Sequence, residues 1–252
     1  MKTLTSVFIF LLLSVSAFAQ CLKCMPPKSA DPADRAEAMD NWLQDWPALH
    51  RYADADAIDA KSDPTGRVVF LGNSITDMWK LAEYFPGKPY LNRGISAQTT
   101  AQMLLRFQPD VVDLHPAAVV ILAGTNDIAG NNGPYSAEET ENNFEAMAAI
   151  AKANRISVLV CSVIPVNDYT PSSKRPFAER PMSQIRELND WLKDYAAKNG
   201  FTYVDYFTAM LDDKGFLKRE LAEDGLHPNA TGYRIMAGIV QKAIDGVLRE
   251  KK

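Results

Sequence analysis

The chain has 252 residues, 47% of them hydrophobic and 23% charged, a balance that argues against disordered, collagen-like and coiled-coil classes. Thirteen glycines and fifteen prolines are too few for a low-complexity linker. With 27 basic against 31 acidic residues the formal net charge is −4, which does not suit a nucleic-acid binder dependent on clustered Lys and Arg.

The chain opens on Met1-Lys2-Thr3, a short positive start. Leu4 to Val15 follows as an apolar run, and Ala17-Phe18-Ala19 matches a small-x-small cleavage site. The run is shorter than the roughly 20 residues that span a bilayer. Residues 1–19 are therefore predicted to be a cleaved signal peptide, with an uncleaved anchor as the alternative. The mature chain would start at Gln20 and be secreted or periplasmic. Losing Lys2 leaves 26 basic against 31 acidic residues, a net charge of −5. A lipoprotein is disfavoured, because Gln20 stands where a small residue should precede an acylated Cys21.

Cys21 and Cys24 form a CxxC followed by Pro26-Pro27 and preceded by no strand. That context suits a local disulfide or an inert tail better than a redox site. Residues 20–35 read as a tail rich in Pro, Lys and Asp, and 36–252 as a single domain. Met39, Trp42, Leu43, Trp46 and Leu49 recur at helical spacing, predicting a helix over 36–52 that packs on that domain.

Beyond the Asp63-Pro64-Thr65-Gly66 turn, short apolar runs alternate with helical patterns. The runs are Arg67–Leu71, Pro89–Asn92, Ala118–Leu122, Ile156–Val160 and Phe201–Val204. Helical patterns lie near 77–84, 98–108, 137–154, 181–199 and 231–248. This alternation predicts an α/β fold: a flavodoxin-like three-layer α/β/α sandwich around a central five-stranded parallel sheet, in the order 2-1-3-4-5. Cys161, inside an apolar run, is expected in the core.

In such sheets working groups gather beyond the carboxyl ends of the strands. Gly72-Asn73-Ser74-Ile75-Thr76-Asp77 follows the first run, Asn92-Arg93-Gly94 the second, and Gly124-Thr125-Asn126-Asp127 the third. Asp224-Gly225-Leu226-His227-Pro228-Asn229 precedes the last helix. These motifs bring a hydroxyl, small residues with accessible backbone, a carboxamide, and a carboxylate three residues before an imidazole.

In order and place this set resembles the SGNH hydrolases, the GDSL-type esterases, over almost the whole chain from Arg67 to the last helix. The resemblance implies that Ser74 is the nucleophile, His227 the base and Asp224 its orienter. It also implies an oxyanion hole with Gly94 and Asn126, to which Ser74 could add its own N–H. Asn73 departs from the family's usual Asp before the serine. Trp79, Arg93 and Thr125, beside these motifs, are expected to contact substrate.

Chemistry agrees with the resemblance. A serine hydroxyl needs a base, imidazole titrates near neutrality, and a carboxylate can fix its tautomer. Of the other histidines, His50 should be a surface residue and His115 should sit at the opposite sheet edge. No zinc-ligand spacing and no phosphate-binding loop is present, so no metal or cofactor is expected.

The expected activity is hydrolysis of small acyl esters, especially acetyl groups on carbohydrates, because the pattern looks most like the family's acetylhydrolases. A lysophospholipase or thioesterase is the alternative within the family, and an inactive glycan-binding domain the alternative outside it. The polar stretch from Val166 to Pro181 offers no oily lid for a long acyl chain. Its Tyr169 and Phe177 could face a sugar ring or merely hold the loop to the core.

Overall fold

A computed structural model describes residue 36, residues 39–40 and residues 43–250. The predicted signal peptide, the tail with Cys21 and Cys24, and Trp42 lie outside the described residues.

The N-terminal segment differs from the expected helix over 36–52. Helical residues stop at Gln44, Leu49–Arg51 forms a single 3₁₀ turn, and a separate helix α1 (Ala53–Asp59) follows. Pro47, which has no N–H to donate, and Ala48, at φ 57°, explain the break. Leu43 and Leu49 are exposed, at 68% and 44%, so they do not pack as expected. Polar contacts fasten the segment instead: Gln102 Nε2 donates to the Trp46 carbonyl at 2.8 Å and Gln98 Nε2 to that of Pro47 at 2.7 Å.

The predicted runs become strands β1 (Val68–Gly72), β2 (Tyr90–Gly94), β3 (Ala118–Leu122), β4 (Ser157–Cys161) and β5 (Thr202–Val204). They form one parallel sheet in the order β2-β1-β3-β4-β5, as expected. β1 and β3 are buried along their whole length, which accounts for their unbroken apolar sequence.

Neighbouring residues of a strand face opposite layers. Val69, Leu71, Val119, Ile121, Val158 and Val160 pack on one side. There they meet helices α4 (Thr100–Leu105), α5 (Phe107–Asp110), α7 (Ala137–Ala153) and α9 (Met182–Asn199). Val68, Phe70, Val120, Leu122, Leu159 and Cys161 face the other layer, with α3 (Leu81–Tyr84), α10 (Tyr206–Met210) and α11 (Ala230–Glu250). Cys161 is fully buried, as predicted. Among the described residues no helix is long and apolar enough to cross a membrane.

Register brings Gly72, Gly94 and Leu122 level at the carboxyl edge of β1, β2 and β3. Strand order reverses between β1 and β3, so the loops there open onto a crevice. Arg106, fully buried, braces this edge: its guanidinium reaches the Gly72 carbonyl at 3.1 Å, Gln98 Oε1 at 2.6 Å and Asp110 at 2.5 Å.

Candidate active site

Ser74 opens the one-turn helix α2 (Ser74–Asp77) directly after β1. Asn73 caps that turn, its Oδ1 accepting from Ile75 N at 3.1 Å. An asparagine caps as well as an aspartate does, so the departure from the family's usual residue leaves the turn intact. Ser74 N–H stands first in the helix, where no intrahelical acceptor exists.

Ser74 Oγ lies 2.9 Å from His227 Nε2, and His227 Nδ1 lies 2.6 Å from Asp224 Oδ2. Asp224 Oδ1 accepts from the backbone N–H of His227 at 2.8 Å and of Leu226 at 3.0 Å. Burial opposes ionisation of Asp224, but these donors outweigh it and hold the carboxyl below the usual carboxylate range. An ionised carboxylate only accepts, so Nδ1 carries the proton and Nε2 is left to accept from Ser74.

The His227 loop is held at both ends. Asn229 caps α11, its Oδ1 accepting from Thr231 N at 2.9 Å and Gly232 N at 3.1 Å. Tyr233 of α11 donates to the Ile75 carbonyl at 2.8 Å, tying the last helix to the serine's turn. From the other side Asn167 N donates to the Gly225 carbonyl at 3.0 Å. Gly225 has φ 75°, and a Cβ there would lie 2.4 Å from Ser173 Cβ and 2.5 Å from the Asn167 carbonyl. Asn167 carries no signal in the sequence, since a single polar residue in a loop has none.

Gly94 does not occupy the place expected of it. It is the last residue of β2, and its N–H already donates to Asn92 Oδ1 at 2.8 Å. Its missing side chain answers a packing need, because a Cβ would lie 2.1 Å from Asp77 N. Asn92 completes the join by donating to the carbonyls of Thr76, at 2.6 Å, and Trp79, at 2.9 Å.

The loop after β2 is instead strung between α2 and the one-turn helix α6 (Thr125–Ile128). Ser96 N and Oγ donate to Asp77 Oδ2 at 3.2 and 2.6 Å. Asn131 Nδ2 donates to the Ala97 carbonyl at 2.9 Å, and Asn126 Nδ2 to that of Gln98 at 3.0 Å. Ala97 is exposed and sits at φ 67°. Among the described residues its N–H has no acceptor.

The three expected substrate contacts have other partners. Trp79, 1% exposed, stacks on Tyr233 at 5.3 Å and meets Phe70 edge-on at 5.6 Å. Closeness to Ser74 in sequence misled, because the turn after α2 points the indole back at the sheet. Arg93 is buried and paired with Asp56 at 2.7 Å and Asp59 at 2.6 Å, carboxylates of the unexpected helix α1. Thr125 is 3% exposed, and its Oγ1 accepts from Arg180 Nε at 3.1 Å.

Arg180 was not anticipated. Its Nη2 also donates to Asn126 Oδ1 at 3.1 Å. The 166–181 segment that carries it, which includes the short helix α8 (Lys174–Ala178), is fastened down. Tyr169 bonds Asp212 through its hydroxyl, and Phe177 packs edge-on against Phe216 at 5.5 Å. Both aromatics thus hold the loop to the 212–216 turn. His50 and His115 are exposed, and His115 precedes β3 at the far edge of the sheet, as expected.

Comparison with known proteins gives the same picture. The model of the GDSL-like lipase/acylhydrolase family matches residues 70–235. A candidate acylhydrolase of Bacteroides fragilis is 39% identical, covering 81% of this chain and 99% of that one, with a TM-score of 0.75. A GDSL-like lipase of Bacteroides thetaiotaomicron is 38% identical, covering 80% and 98%, with a TM-score of 0.73. An acetylxylan esterase of Xylanibacter ruminicola is 28% identical over 241 residues, 81% of this chain. The chain spans 46% of that relative's length.

Proposed function

The chain belongs to the GDSL-like lipase/acylhydrolase family of ester hydrolases, and from that premise we propose an exported serine esterase that removes small acyl groups, chiefly acetyl, from carbohydrates. The observation that carries the mechanism is the relay Ser74–His227–Asp224, with its 2.9 and 2.6 Å contacts. His227 Nε2 takes the hydroxyl proton as Ser74 Oγ attacks the ester carbonyl, and Asp224 steadies the imidazolium. Collapse of the tetrahedral intermediate expels the alcohol, which receives that proton. Water, deprotonated by the same imidazole, then attacks the acyl-serine, and its collapse releases the acid and returns the proton to Ser74.

Ser74 N–H, Ala97 N–H and the Asn126 carboxamide are the donors for the oxyanion, Ala97 replacing the Gly94 expected from sequence. Each such donor can be worth roughly 10²–10³ in rate.

Similarity to an acetylxylan esterase supports the acetyl-carbohydrate reading, as does the polar, fastened 166–181 loop where a lipase would carry an oily cover. Acetyl esters should show kcat/KM roughly tenfold or more above octanoyl esters, about 1.4 kcal/mol in barrier. A p-nitrophenyl ester series at sub-micellar concentration, run beside acetylated xylo-oligosaccharides, checks this. An optimum at long chains would favour the lysophospholipase reading and leave the relay untouched. Export rests on the charged start, apolar run and Ala17-Phe18-Ala19 site. N-terminal sequencing of secreted material should read from Gln20; a chain still starting at Met1 would overturn it.

A further inference from the structure

Asn126 offers the oxyanion a side-chain amide, and such an amide is a donor only if its nitrogen faces the reacting oxygen. Nothing in the carboxamide itself decides this, because its two ends have nearly the same shape. Here its surroundings decide. Arg180 Nη2 approaches one end of the amide at 3.1 Å, and the Gln98 carbonyl approaches the other at 3.0 Å. A guanidinium can only donate, so the end facing Arg180 is Oδ1. A backbone carbonyl can only accept, so the end facing Gln98 is Nδ2. The amide is fixed from both sides, and one of its two hydrogens goes to Gln98. The other has no acceptor among the described residues.

Arg180 is itself held in plane. Nε donates to Thr125 Oγ1 at 3.1 Å, Nη1 to the Pro176 carbonyl at 3.2 Å, and Glu179 lies 3.6 Å from Nη1. The residue is 5% exposed, so it has no room to reach a substrate. Thr125 and Asn126 are adjacent on α6, and one planar fork bridges both, a task that a lysine's single ammonium fits poorly.

We propose that Arg180 is the positioning residue of the oxyanion hole: it aims the free N–H of Asn126 at the developing charge and polarises that N–H through the amide. Hydrogen bonding to the carboxamide oxygen draws electron density from the nitrogen and strengthens the donor at the other end. The cation also adds its field behind the donor, from a position that is itself buried. This inference rests on Asn126 being an oxyanion donor, as proposed above.

A bland role is also available to Arg180, that of pinning the 166–181 loop to α6. Coupling separates the two, since a residue acting through Asn126 loses its effect once Asn126 is gone. The test measures steady-state hydrolysis of p-nitrophenyl acetate by Arg180→Gln, Arg180→Lys, Asn126→Ala and the two double variants, with melting curves for each. Arg180→Gln should lower kcat about tenfold or more while KM changes by less than about threefold, because the lost interaction belongs to the transition state. In the Asn126→Ala background the same change should cost less than about twofold. Arg180→Lys should fall between wild type and Arg180→Gln. If Arg180→Gln does not fold, the Arg180→Lys pair supplies the same cycle.

An Arg180→Gln kcat within twofold of wild type would overturn the proposal, as would an equal loss in both backgrounds. Should Asn126→Ala fall about 10²-fold while Arg180→Gln does not, this inference alone fails. Should Asn126→Ala keep its full kcat, the oxyanion reading fails and takes the inference with it.

Discussion

Ser74→Ala should lower kcat by about 10⁴-fold or more while leaving the melting curve close to wild type. Ser74 is half-buried and its Oγ bonds only His227 among the described residues, so its removal costs little packing. His227→Ala should match it, since hydroxyl and imidazole act as one unit and losing either disables both. Asp224→Asn should also cost heavily. The carboxylate accepts three N–H groups, from Leu226 N, His227 N and His227 Nδ1, whereas an amide has one acceptor oxygen and would favour the wrong tautomer. His115→Ala is the control and should leave turnover unchanged. Steady-state kinetics on p-nitrophenyl acetate decide the matter; a Ser74→Ala enzyme at wild-type rate would refute the relay.

Gly225→Ala should reduce kcat by about 10²-fold or more and lower the melting temperature as well. The left-handed backbone at φ 75° costs an alanine about 1–2 kcal/mol. The larger obstacle is space. The new methyl would meet Ser173 Cβ at 2.4 Å and the Asn167 carbonyl at 2.5 Å. Asn167 cannot step aside, because its N–H holds the Gly225 carbonyl and its Nδ2 holds that of Leu217 at 2.9 Å. The Asp224–His227 loop must move instead, and a shift of about 1 Å in a reacting group can cost 10²-fold. Kinetics and thermal melts on the same preparation test this. Wild-type kcat in a folded variant would mean that the loop absorbs the methyl without moving His227.

Much of this architecture could be read from the chain. The covered parallel sheet followed from the alternation of apolar runs and helical patterns, because both its faces are apolar, and its strand order from the flavodoxin-like arrangement that five such strands fit. Asp224 and His227 could be paired because they lie three residues apart and need no distant segment to meet. What stayed hidden depends on contacts far apart in sequence. Arg93 looked free until α1 supplied Asp56 and Asp59, and α1 carries no apolar stripe that would have announced it. Gly94 looked like a loop donor because the second run was ended at Asn92, two residues short of the strand's real end. Trp79 looked like a substrate contact because Tyr233, its stacking partner, lies on the last helix. Arg180 gave no pattern at all, since an isolated arginine in a polar loop is ordinarily solvated.

The serine and its base stand 153 positions apart in the chain. β1 brings one to the site, and the loop before α11 brings the other only after that helix has docked through Tyr233. Bringing together residues so far apart in sequence costs loop-closure entropy, which the docked helix must offset. Hydrolysis therefore requires that the last helix be docked on the serine's turn. A partly folded chain carries all the reactive groups and performs no chemistry, so recovered turnover counts fully closed molecules where a spectroscopic signal would also count their precursors.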